Sequence, residues 1–233
     1  MCFSVQIDRS LNKMAARFGA TVSRSSFEKF LSNKEINPKK FKAPDEVNRV
    51  YPNYFAPVII RDQGNKIIKP MRYQLLPHFS NESTYTMVNA KTKRKKTIPT
   101  YNARLDSLED RKAWEPIFMK NHCLFPFIKF FEWVEFEGQK KQIGFHAQNC
   151  EVMWAPGLYD QWVSKDKKEI IESFALITTD PHPDILKMGH DRTPIFLKEE
   201  YIDDWLDPQN ETKDEIYEML NQHESVNYDY EWV

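Results

Sequence analysis

The sequence predicts an α+β fold, an antiparallel, barrel-like sheet with helices packed around it. Three observations predict it. Short apolar runs divided by turn residues outnumber the helical patterns; the two kinds alternate irregularly; and the longest apolar stretch, residues 123–136, is dense in Phe and Trp, which suit a buried pleated surface.

The elements follow in order. Residues 2–7 read as a short strand, after which Asp8 caps an amphipathic helix with Leu11, Met14, Ala15 and Phe18 on one face, closed by Gly19. Residues 20–48 are polar and Lys-rich with scattered Phe, an insertion of helix and loop that covers the core. Residues 58–61, the turn Asp62-Gln63-Gly64-Asn65, residues 66–69 and residues 72–76 carry hairpin signals. Ser107, with Asp110 three residues on, opens a helix on Leu108, and Pro116 starts a further turn towards Asn121. Residues 123–136, 142–147 and 170–178 then read as buried strands. The main domain spans residues 1–206, and residues 207–233 form an acidic extension packed on it or trailing from it.

Composition narrows the function. The 233 residues, 41% hydrophobic and 29% charged, suffice for one domain or two small ones with an adequate core. Of the six glycines no two stand five or fewer positions apart, so neither GxxxxGK[ST] nor GxGxxG can be written, and nucleotide sites of those two kinds are excluded. The three cysteines form no CxxC and the histidines no HExxH; no cofactor and no metal are expected. Sparse, odd cysteines suit a reducing compartment. Together with the absence of a membrane-span-length apolar run or a leader-like start, they place the chain in the cytoplasm, with no membrane partner. A net charge of -1 conceals an asymmetry: residues 199–233 hold twelve Asp and Glu against one Lys, about -11, which leaves about +10 on residues 1–198. A basic body suits a polyanion, whereas the acidic end reads first as a solvated helix and tail. The sharpest basic run is Lys91, Lys93, Arg94, Lys95 and Lys96.

Four places carry chemistry-bearing residues. Cys2, exposed by removal of Met1, would join a free amine and a thiol in one residue, a 1,2-aminothiol with both groups partly nucleophilic at neutral pH. Such a group captures an aldehyde as an imine and closes a thiazolidine through sulfur. Glu132, between Phe130-Phe131 and Trp133, is a carboxyl whose pKa burial would raise, a proton-shuttle candidate; strand alternation would equally allow it to point outward. His190 lies at an element boundary in His190-Asp191-Arg192-Thr193-Pro194, where a histidine serves chemistry or merely a turn. Asn102 orients amines or carbonyls, and Arg104 forks onto phosphate, unless both are simply turn residues.

In order, Met1-Cys2, Asn102-Ala103-Arg104, Phe131-Glu132-Trp133 and His190-Asp191-Arg192-Thr193-Pro194 resemble the signature blocks of the SRAP family (SOS response-associated peptidase), supported by Phe55-Ala56-Pro57 and by residues 174–179. The resemblance runs from residue 2 to about residue 206 and implies a single SRAP-like domain. It implies a protein that crosslinks Cys2, after Met1 removal, to the ring-opened aldehyde of abasic sites in single-stranded DNA. AP lyase and self-processing activities are expected beside that chemistry, in a monomer that is nucleoid-associated when on DNA. By the same resemblance Asn102 positions the Cys2 amine, Glu132 moves protons and His190 assists sugar-ring opening. Arg104, Lys112 and Arg192 hold phosphates, and Tyr73 and Phe79 offer stacking faces where the family has tryptophans. Phe3 and Ser4 depart from the family's Met-Cys-Gly-Arg start. The alternatives are a non-covalent single-strand-binding module with degenerate chemistry, and a peptidase limited to Met1.

Overall fold

The computed structural model describes residues 3–233. Its strands, in chain order, are β1 (Ser4–Gln6), β2 (Thr21–Val22), β3 (Arg49–Val50), β4 (Phe55–Asp62), β5 (Asn65–Tyr73), β6 (Thr86–Val88), β7 (Lys95–Thr97) and β8 (Asn102–Arg104), followed by β9 (His122–Phe127), β10 (Lys129–Phe136), β11 (Gln139–Ala147), β12 (Met153–Val163), β13 (Ile170–Thr179), β14 (Thr193–Pro194) and β15 (Tyr228–Trp232). The helices are α1 (Leu11–Phe18), α2 (Arg24–Ile36), α3 (Pro183–Lys187), α4 (Ile202–Trp205) and α5 (Lys213–Asn221).

The α+β, barrel-like expectation holds. Antiparallel pairing runs β13-β12-β9-β4-β5, and a parallel contact of Ser173 and Phe174 on β13 with Arg72 and Tyr73 on β5 closes these five strands into a barrel. Beyond that contact β8 takes the place of β5 beside β13, with Asn102 opposite Leu176 and Arg104 opposite Thr178. The chain passes straight from β9 in the barrel to β10 in a second, five-stranded sheet ordered β15-β11-β10-β1-β3. Both sheets bury one face in a common core that includes Ile59, Phe125, Phe127, Phe130, Phe145 and Phe174. Among the described residues no helix is long and apolar enough to cross a membrane.

Local sequence explains most elements. The β4–β5 hairpin pairs Asp62 with Asn65 around Gln63 (φ 48°) and Gly64 (φ 81°), the doubly left-handed turn that matches strand twist. In α1, Met14 and Phe18 are buried, and Gly19 (φ 59°) ends the helix by donating its N–H to Ala15 O. The cap is Ser10, whose Oγ accepts from Lys13 N, rather than Asp8, whose Oδ1 accepts from Ser10 N. The polar insertion forms α2, which buries no residue fully; Phe30 and Phe41 lay their rings 5.0 and 5.3 Å from that of Phe55.

Three expectations change. No helix opens at Leu108: a 3-10 turn covers Leu105–Ser107 and further turns follow, because Trp114, Ile117 and Phe118 are drawn into the core at spacings set by packing. Strand β12, absent from the expected set, is the longest strand, and its Asp160 and Gly157 had masked its apolar pattern. The acidic end is also more than a solvated tail. Its helix α5 opens with a Thr212–Glu215 capping box and buries Ile216, Met219 and Leu220, and β15 adds a strand to the edge of β11.

Candidate active site

Alternation along β10 decides the orientation of Glu132. Phe130 and Val134 are buried on the same face, opposite Phe145 and Lys141 of β11, and Glu132 lies between them opposite Ile143, 2% exposed. Its flanking ring Trp133 faces the other way and is exposed. Burial strips the carboxylate of water and raises the Glu132 pKa above the usual carboxylate value, while the hydrogen bond and charge of His190 pull it partly back.

The partner comes from the segment between α3 and β14. Pro183 starts α3, capped by His182, and Gly189 (φ 84°) then turns the chain at a position that L side chains disfavour. His190, 8% exposed, thereby sets Nε2 3.1 Å from Glu132 Oε2. Its Nδ1 lies 3.1 Å from the Arg192 carbonyl oxygen and 3.3 Å from the Arg192 amide nitrogen. These contacts define two states one proton apart. With Nδ1 accepting from the Arg192 amide, Nε2–H donates to the carboxylate; with Nδ1–H donating to the carbonyl, the protonated carboxyl donates to Nε2. The contact can carry a proton between the two side chains.

Asn102 is 7% exposed, held by the parallel pairing of β8 with β13. The Tyr73 hydroxyl donates to Asn102 Oδ1 at 3.5 Å. That contact corrects the expectation of Tyr73 as a stacking face. The residue is 0% exposed, its ring packed among Phe174, Tyr101 and Phe125, so no base reaches it. Phe79 keeps an accessible ring, 42% exposed. The segments bearing Asn102 and His190 converge on the end of β13, where Thr178 pairs with Arg104 of β8 on one side and Pro194 of β14 on the other.

Among the expected phosphate contacts, Arg104 is exposed, but its Nε donates to Asp106 Oδ1 at 3.0 Å and Nη2 pairs with the same carboxylate, so a phosphate must compete with Asp106. Lys112 is exposed on the turns before β9. Arg192 is buried, with Nη1 3.7 Å from Asp180 Oδ1. Cys2, the expected nucleophile, lies outside the described residues. Among the described residues no group of three or more His, Cys, Asp or Glu is placed to hold a metal ion.

Two supporting groups escape a sequence reading. One is the Tyr73 hydroxyl; a buried tyrosine needs a hydrogen-bond partner, but nothing in sequence points to Asn102. The other is Asp160, buried on β12, whose Oδ2 accepts from His78 N at 2.7 Å and lies 2.8 Å from His78 Nδ1, fixing the residue beside Phe79. An acid inside an apolar strand was the available signal.

A family model described as SOS response associated peptidase (SRAP) matches residues 1–233. The chain is 22% identical over 213 residues to the abasic site processing protein YoqW of Bacillus subtilis, covering 90% of this chain and 85% of that protein. It is 20% identical over 194 residues to the abasic site processing protein HMCES of Pongo abelii, covering 72% and 52%. A crystal structure of a protein from Bacteroides thetaiotaomicron superposes with a TM-score of 0.72 at 22% identity, over 100% of this chain and 92% of that one.

Proposed function

The chain belongs to the SOS response associated peptidase family, and from that premise we propose that it processes abasic sites in single-stranded DNA by a covalent crosslink through Cys2. The carrying observation is the buried Glu132–His190 pair, 3.1 Å apart. A module that only bound DNA would have no use for a buried carboxyl set against an imidazole, and burying such a pair costs stability.

The steps use the groups in turn. Removal of Met1 frees the Cys2 amine and thiol. The abasic sugar opens to its aldehyde, a proton transfer that His190 assists through its contact with Glu132. The amine adds to the aldehyde carbon, and the protonated Glu132 carboxyl gives its proton to the departing hydroxyl, which leaves as water from the carbinolamine. The thiol then adds to the carbon of the protonated imine, whose nitrogen keeps its N–H, and the thiol proton returns to the Glu132 carboxylate. The product is a thiazolidine; overall one aldehyde and one aminothiol give the ring and one water. Asn102, oriented by Tyr73, positions the amine, and Arg104, Lys112 and Arg192 hold the backbone phosphates. The same imine acidifies the neighbouring sugar carbon, so strand cleavage by β-elimination accompanies slow ring closure. The protein acts as a monomer in the cytoplasm, with no cofactor.

The test is intact mass after mixing with a single-stranded abasic oligonucleotide. The expected product is a denaturation-resistant species at the mass of the Met1-less protein plus DNA minus water. Cys2→Ala abolishes it with the fold intact, and Glu132→Gln protein that retains Met1 assigns self-processing to the same site. Wild-type protein without an adduct overturns the proposal.

A further inference from the structure

Between Phe79 and Asn102 the chain makes an excursion that the crosslinking chemistry does not use. Strands β6 and β7 pair only with each other, Thr86 with Thr97 and Val88 with Lys95, and residues 87–97 are exposed throughout. The tip is held rather than loose. Asn89 Oδ1 accepts from Lys91 N at 2.9 Å and Thr92 N at 2.8 Å, Asn89 N donates to Arg94 O at 3.0 Å, and Lys93 takes a left-handed φ of 56°. The base is held too, because Ile98 N donates to Tyr85 O at 3.0 Å and Trp162 Nε1 donates to Ser80 O at 2.8 Å.

On this scaffold stand Lys91, Lys93, Arg94, Lys95 and Lys96, with no acidic residue between positions 83 and 105. Lys95 pairs with Glu82 at the base, 2.5 Å away; among the described residues Lys91, Lys93, Arg94 and Lys96 have no carboxylate within ion-pair distance. Four cations without ion-pair partners on a preorganised ribbon concentrate positive potential in one place, a field that a polyanion complements. The nearest rings, Phe79 and Tyr85, pack edge to face on one another at the base, 5.9 Å apart, so the ribbon itself carries no stacking platform for unpaired bases. A two-stranded ribbon is also the shape that the major groove of a duplex admits.

We propose that the β6–β7 ribbon is a second nucleic-acid site, a basic arm that grips the phosphates of double-stranded DNA next to the crosslinking site. The inference rests on the DNA reading of the site only for its setting. The ribbon runs within five residues from Thr97 into Asn102, so a duplex held there adjoins the strand bearing the lesion. The arm supplies affinity and places the single-stranded lesion beside its duplex flank; it takes no part in bond making.

The experiment compares wild type with the quadruple variant Lys91→Ser, Lys93→Ser, Arg94→Ser, Lys96→Ser, whose exposed positions leave the fold intact. Binding of an undamaged blunt duplex is followed by fluorescence anisotropy from 50 to 200 mM salt. The salt slope is expected to drop by about 2–4, since each neutralised phosphate contributes about 0.9, and affinity at 50 mM salt by ten- to a hundredfold. Replacing the three lysines by arginine and keeping Arg94 is expected to retain both. Unchanged affinity and slope overturn the arm, and an equal loss on an undamaged single strand of the same length overturns its duplex assignment. Crosslinking of a single-stranded abasic oligonucleotide, read in parallel, reports on Cys2 alone: its failure with duplex binding retained sinks the crosslinking proposal and leaves the arm standing.

Discussion

One proton on Glu132 bears on stability and, in the proposed reaction, on reactivity. Its folded pKa lies above the unfolded value, so the neutral carboxyl stabilises the fold below the usual carboxylate range, and this contribution is lost as pH rises through the raised folded value. Glu132→Gln keeps the shape and removes the titration. The variant is expected to be more stable than wild type near pH 7, with the advantage gone near pH 4, and adduct formation is expected to slow by about a hundredfold or more. Urea unfolding at both pH values and adduct kinetics check this; an equal stability offset at the two pH values contradicts the sign. Tyr73→Phe leaves the buried ring in place and deletes the hydroxyl on Asn102. Loss of one hydrogen bond of about 1 kcal/mol predicts roughly a fivefold slower adduct with little change in melting temperature, measured on the same oligonucleotide. The chemical types at this site were legible in the sequence because Glu132 and His190 are costly where they stand. Tyr73 was misread because its partner, Asn102, lies 29 residues away and meets it only through β13.

At the scale of elements, the barrel depends on close approach between strands. A Cβ on Gly157 of β12 would lie 2.6 Å from the Ala175 carbonyl oxygen and 2.9 Å from Cys123 Sγ, hemmed in by both neighbouring strands. Backbone cannot yield there, so Gly157→Ala is expected to cost about 3 kcal/mol or to prevent folding, as chemical denaturation would read. Gly144→Ala meets the edge of the Phe131 ring at 2.8 Å, a side chain that can tilt, and is expected to cost less. A second joint is His122, at the start of β9. Its ring stacks on Trp205 of α4 at 3.8 Å, Nδ1 lies 2.8 Å from Trp205 O, and Nε2 faces Phe118 O. Burial lowers its pKa from 6.5 to about 4. The unfolded chain therefore binds the proton more readily, so the contribution is complete above about pH 6.5 and is lost as pH falls through 4. That is up to about 3 kcal/mol, which a wild-type minus His122→Gln comparison across this window isolates. The hairpin β4–β5 and helix α1 were readable because turn residues and a 3.6-residue period specify them locally. The turns after Leu108, by contrast, take their conformation from the core that covers them.

For the whole molecule, the charge asymmetry resolves into a spatial arrangement. Acids of the C-terminal segment meet cations of the body: Glu199 with Arg17 at 2.6 Å, Asp203 with Lys66 at 2.9 Å and Arg61 at 3.2 Å, and Glu231 with Lys129. These cations stand on α1, β5, β4 and β10; none belongs to the β6–β7 ribbon. The C-terminal segment thus neutralises part of the positive charge of the body, and none of these ion pairs reaches the β6–β7 ribbon. Because these pairs are at least partly exposed, each contributes at most about 1 kcal/mol and little of that survives added salt. Phosphate contacts behave otherwise, since every released counterion steepens the salt dependence of binding. Raising salt from 50 to 500 mM is therefore expected to shift unfolding free energy by no more than about 2 kcal/mol while duplex affinity falls by a thousandfold or more. Parallel denaturation and anisotropy titrations measure both. A fold that loosened in step with DNA release would mean that the acidic segment, rather than the apolar core, holds the barrel together.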